Sequence, residues 1–183
     1  MEFTKRTDLS NFETVSDVPL LLAGILTVDT IVLFLTRFYP NLLGGPLNVW
    51  YDRFGLAAVL SDVFIILIGF LIARYIYTVY LKPRFGTNPW AFLGTVVGVQ
   101  AIHDILFYIG AILPIPRGTN AMMDVFKDYA KSGGGKIIAG DAGLMIASFL
   151  FATFYKGLPT HATLSTMAVV IYMLPYALYQ RWK

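Results

Sequence analysis

The chain carries five long apolar runs, and no other feature narrows its possible folds so sharply. They cover roughly residues 19–39, 54–81, 90–113, 137–155 and 163–179. A bilayer core is crossed by about 20 apolar residues in helical form. In hydrocarbon each unpaired backbone group costs several kcal/mol, so a spanning segment is a helix or a strand of a closed barrel. Barrel strands alternate apolar and polar residues, and these runs do not. The expected fold class is therefore all-α: a polytopic transmembrane helix bundle of about five spans over residues 19–183. A polar tail, residues 1–18, precedes it.

Composition agrees. Charged residues make up 14% of the chain, against about 25% in ordinary soluble domains. There are no cysteines, which excludes disulfides and thiolate chemistry. The net charge of +3 is spread over the loops and leaves no nucleic-acid footprint. Lysines and arginines divide almost evenly between the two sides, so the positive-inside rule assigns no orientation. The N-terminus mixes Lys5 and Arg6 with Glu2, Asp8, Glu13 and Asp17. That is unlike the basic start of a signal peptide, so the first run is expected to stay in the mature protein.

Turn residues separate the runs. Pro40, Gly44, Gly45 and Pro46 follow the first, Pro83, Gly86 and Pro89 the second, and Gly157 and Pro159 the fourth. Tyr39, Trp50, Tyr51, Trp90, Tyr155 and Trp182 fall at the borders and read as an interfacial aromatic belt. Pro175, late in the fifth run, is expected to kink it. The third connection, Pro114 to Lys136, predicts a short helix capped by Thr119 or Asn120 and stopping at Gly133. Met122, Phe126 and Tyr129 share one face of it. Such a helix lies at the membrane surface or docks on the protein. The following GGGK lacks the spacing of a phosphate-binding loop.

Each of the first four runs holds one aspartate: Asp29, Asp62, Asp104 and Asp141. A charged aspartate at the bilayer centre costs about 2.5–3.5 kcal/mol on insertion scales, so four of them are expected to face inward. Because successive helices reverse direction, Asp62, Asp104 and Asp141 fall in the half nearer connections one and three, with Asp29 close to mid-membrane. Gln100 shares a face with Asp104, and His103 is one position off. The expected result is an intramembrane polar cluster of Asp29, Asp62, Gln100, His103, Asp104 and Asp141 beneath the helix of the third connection. Small residues mark expected helix contacts: Gly55, Ala58 and Gly69 in the second run, Gly94 and Gly98 in the third, and Ala139, Gly143 and Ala147 in the fourth.

Three readings of the acids stay open. They are structural, bonded to Ser61, Thr30, Tyr108, Ser148 or backbone; or they form a proton or cation path; or, with His103, they hold a divalent metal for an enzyme. No nucleophile elbow, zinc-protease helix or dinucleotide fingerprint is present. The expectation is therefore no catalytic residue, no resident metal and no cofactor, with the lipid bilayer as the first partner. A chain of this size also suits one subunit of a homo-oligomer.

Three segments bear a resemblance. WYDRFGLAAVLSDVFIILIGFLIARYIY (Trp50 to Tyr77), QAIHDILFY (Gln100 to Tyr108) and PRGTNAMMDVFKDYAKSGGGKIIAGD (Pro116 to Asp141) resemble small multispan membrane proteins of large icosahedral DNA viruses of algae. The resemblance covers about half the chain and carries over no catalytic residue. It implies a structural, minor component of the virion's inner membrane, tying bilayer to capsid. The connection Pro114 to Lys136 and the two tails would then be the contact surfaces.

Overall fold

The computed structural model describes residues 8–43 and 45–180. Glu2, Lys5, Arg6, Gly44 and Trp182, named above, lie outside the described residues. The described residues are all-α. Five helices are long and apolar enough to cross a membrane. They are α1 (Val18–Phe38), α3 (Leu56–Ile76), α4 (Pro89–Phe107), α6 (Gly135–Lys156) and α7 (Thr160–Leu178). Two shorter helices, α2 (Pro46–Phe54) and α5 (Ala121–Gly133), occupy the first and third connections. π turns over Tyr77–Leu81 and Tyr108–Ile112 extend α3 and α4.

Local chemistry sets the boundaries. Asn88 accepts hydrogen bonds from the N–H groups of Trp90 and Ala91, with Pro89 in the first turn of α4. Asn120 does the same for Met122 and Met123 at the start of α5. These side chains satisfy donors that a helix start leaves unpaired. Gly45 and Gly55, at φ +69° and +53°, bracket α2. Both sit in the left-handed region that favours glycine.

Helices α1, α3, α4 and α6 close a ring, and α7 packs on the outer side of α1. The tightest approach joins α1 to α6. A Cβ on Gly24 would lie 2.7 Å from the Ala152 amide nitrogen and would collide with the Ser148 carbonyl. Contact between two backbones without intervening side chains maximises dispersion in lipid, where no hydrophobic force drives helices together. The inner faces carry Leu21, Ile25, Ala58, Phe70, Ala73, Phe92, Val96 and Met145, all fully or almost fully buried. The outer faces carry Phe34, Phe64, Ile102, Leu106, Leu150, Phe154, Leu164 and Val169, all exposed. A contiguous apolar exterior of that extent is untenable in water and is the surface expected against acyl chains.

Several expected packing positions are corrected. Ala58 is fully buried, and a Cβ on Gly69 would meet Met145 Cε at 3.2 Å, so both lie in helix contacts. Gly55 instead serves the α2–α3 turn. Gly94 and Gly98 have no atom within 4 Å of an added Cβ and face an open groove beside Ile76 and Phe85. Ala139 and Gly143 are exposed and Ala147 is half-buried; α6 packs through Met145, Ser148 and Ala152 instead. Three supposed belt aromatics are internal: Trp50, Tyr51 and Tyr155 are 4%, 2% and 1% exposed.

Candidate functional site: a capped intramembrane carboxyl cluster

The four span aspartates come from four helices and form a string. Asp29 of α1 interacts electrostatically with Asp62 of α3, Asp62 with Asp141 of α6, and Asp141 with Asp104 of α4. Gln100 Nε2 donates to Asp104 Oδ1 at 2.6 Å, and His103 Nδ1 lies 3.2 Å from the same oxygen. His103 is about one-third exposed and marks the outer end of the string. Asp29, 4% exposed, marks the inner end. Gln100, His103 and Asp104 thus bond to one another, while Asp29, Asp62 and Asp141 are linked to them through electrostatic interaction alone.

The first connection supplies donors that sequence reading missed. Trp50 Nε1 donates to Asp62 Oδ2 at 3.0 Å. The Tyr51 hydroxyl reaches both Asp62 and Asp29. Burial, and then the charges of Asp29 and Asp62, push Tyr51 well above the ordinary tyrosine value, so it remains a neutral donor. The available signal was Trp50–Tyr51 within nine residues bounded by Gly45-Pro46 and Gly55. The third connection closes over the same place. Burial, with the charges of Asp141 and Asp62, raises Tyr129 of α5 to about 12.

The two short helices form one lid. The rings of Trp50 and Phe126 are 4.8 Å apart, and Phe126 meets Phe107 edge-on at 5.7 Å. Val125 is buried, and Met122 and Phe126 pack against the core. The α5 helix is thus docked on protein through the face predicted for it. Lys127 Nζ donates to the carbonyls of Ile112 and Leu113, fastening α5 to the end of α4. Arg37 fastens α2 to the bundle through Asp52 at 2.6 Å and Asn48 Oδ1 at 2.8 Å.

The partners proposed from spacing are not the ones used. Ser61 bonds its own helix at the Ala57 carbonyl, the Thr30 and Ser148 hydroxyls have no hydrogen bond, and Tyr108 is exposed. Asp29 Oδ2 and Asp104 Oδ2 are buried without a hydrogen-bond donor.

No family model, curated protein or solved structure matches the chain.

Among the described residues no three His, Asp or Glu side chains gather as a metal-binding group. Trp50 and Tyr51 of α2 offer N–H and O–H donors to Asp62, and Gln100 donates to Asp104 within α4. Such an arrangement can clamp α2 to the spans that carry Asp29 and Asp62.

Proposed function

We propose that this multi-span membrane protein is a structural component of its bilayer, and that the bilayer is the inner membrane of an icosahedral virus, joined to the capsid through the lid side. The observation that carries the structural reading is that each carboxyl comes from a different span, while α2 brings Trp50 to Asp62 and the Tyr51 hydroxyl to Asp62 and Asp29. A polar contact in lipid holds its helices because the alternative is an unsatisfied group in hydrocarbon. The viral part rests on the resemblance. Its three segments, Trp50 to Tyr77, Gln100 to Tyr108 and Pro116 to Asp141, supply three of the four carboxyls and both Trp50 and Tyr129. The exposed lid side offers Arg117 and Asp128, paired at 2.7 Å, to a capsid partner. Mass spectrometry of the native membrane complex tests this: capsid proteins should be recovered in fixed ratio with the chain. Recovery with copies of itself alone, or with enzyme subunits, overturns it.

The two carboxyl oxygens without donors favour a second reading, a proton- or cation-conducting subunit. Liposome flux separates the two. The structural reading requires that Asp104→Asn leave a folded protein and an unchanged, background flux; flux in the parent chain that is lost in this variant establishes conduction instead.

A further inference from the structure

At the opposite end of the bundle, α4 begins and α6 ends side by side, and the N-terminal segment folds across them. Between these parts lies a cavity of about 400 Å³. Ligand pockets commonly run from about 300 to 1,000 Å³. Its floor is apolar: Phe92 and Phe149 meet edge-on at 5.6 Å, and Leu9 covers them. Its rim is polar, with Lys156 and Thr153 from the last two turns of α6.

The charges on this rim do not cancel. Asp8 accepts a hydrogen bond from Lys82 Nζ at 2.9 Å and others from Ser10. Burial alone would raise its carboxyl, but the bonds from Lys82 and Ser10 outweigh that and hold it below the usual carboxylate range. Asp8 therefore stays ionised and paired. Lys156 is half-buried, and no ion pair among the described residues includes it. Lys156 closes one candidate span and Pro89 opens another, which sets the cavity at headgroup depth. Trp90 is 76% exposed alongside it, as an interfacial aromatic is expected to be.

We propose that this cavity holds one glycerophospholipid with an anionic headgroup. Its phosphate lies on Lys156, and one acyl chain follows the apolar lining past Pro89 and the edge of Phe149. A water-soluble anion would match the lysine but not the apolar lining. A neutral amphiphile would match the floor but leave the lysine without a counter-charge. The occupant is therefore drawn from the surrounding bilayer, and it joins the N-terminal segment to α4 and α6.

Native mass spectrometry of the full chain, released from mixed phosphatidylglycerol and phosphatidylcholine nanodiscs, tests the proposal. One phosphatidylglycerol per chain should be retained in preference to phosphatidylcholine. Lys156→Gln should reduce that retention about fivefold, the factor one basic side chain supplies near a bilayer surface. Thr153→Trp, which fills the rim without touching the charge, should remove the adduct while the thermal midpoint holds. Equal retention of both lipids, or parent-level adducts in both variants, overturns the proposal. Displacement of the adduct by inorganic phosphate alone would assign the site to a free anion and also overturn it. So would a Lys156→Gln chain that melts earlier but keeps its lipid, because Lys156 would then serve only the negative end of the α6 dipole.

Discussion

Each end of the bundle buries an arginine, and the two are satisfied in different ways. Arg74, fully buried, donates to the backbone carbonyls of Asn11 and Thr14 and feels the charge of Asp17, itself 1% exposed. Arg37, 2% exposed, pairs with Asp52, whose side chain is 67% exposed, and donates to Asn48 and to the Leu178 carbonyl at 3.0 Å. The carboxyls differ too. Asp8 at the Arg74 end holds Lys82, whereas the four-aspartate string at the Arg37 end is met by Trp50, Tyr51, Gln100 and His103. The Arg74 end buries its cation against backbone carbonyls and a buried carboxylate, whereas Arg37 is matched by a carboxylate that stays in water. The cost of removing a buried charge depends less on the charge than on what remains buried afterwards.

Arg74→Met should therefore have the largest effect. It strands two carbonyls and leaves the buried Asp17 charge without that cation, a loss of about 3–5 kcal/mol. Unfolding in detergent mixtures, followed by helicity, measures it. Asp17→Asn in the same chain should recover part of the loss. An unchanged midpoint in Arg74→Met would mean that the N-terminal segment does not depend on the guanidinium.

Arg37→Met comes second. Asp52 regains full hydration when its partner goes, so the loss reduces to hydrogen bonds with Asn48 and Leu178, about 1–3 kcal/mol in total. The same unfolding measurement applies, with protease nicking between residues 39 and 55 reporting release of α2. A loss larger than that from Arg74→Met would reverse the comparison and make the lid the stronger fastening.

Hydropathy made the spans legible, because lipid permits one local structure and marks it by length. The α5 helix was legible through the Asn120 cap and the stop near Gly133. Helix α2 was not: nine residues with Asp52 and Arg53 read as a loop, and only the tertiary fold buries Trp50 and Tyr51. The burial of Arg74 was not legible, because nothing in its own segment shows that residues 8–17 fold back over it. Gln100 and His103 were legible beside Asp104 because they share its helix, but Trp50 and Tyr51 came from a connection whose path hydropathy does not constrain. Gly24 escaped notice for a related reason. Its small partners, Ser148 and Ala152, lie on another helix, and no spacing within α1 marks it. Stripes such as Ala139, Gly143 and Ala147 show where an approach is sterically allowed; which face is used depends on the neighbours.

The smallest effect concerns a proton rather than the fold, and it tests whether the lid faces the carboxyls. Tyr129 is held at about 12, by burial first and then by Asp141 and Asp62. An ordinary tyrosine loses its proton near about 10. Between those values the folded chain holds a proton that the unfolded chain has lost, so stability should fall as pH rises through that window. Difference ultraviolet titration against Tyr129→Phe isolates this hydroxyl from the other tyrosines, and the variant should lose its share of the alkaline slope. Asp141→Asn removes one of the two negative neighbours, so Tyr129 should titrate lower while burial keeps it above the ordinary value. Titration unmoved by Asp141→Asn would separate α5 from the string and leave only the Trp50 side of the lid in contact with it.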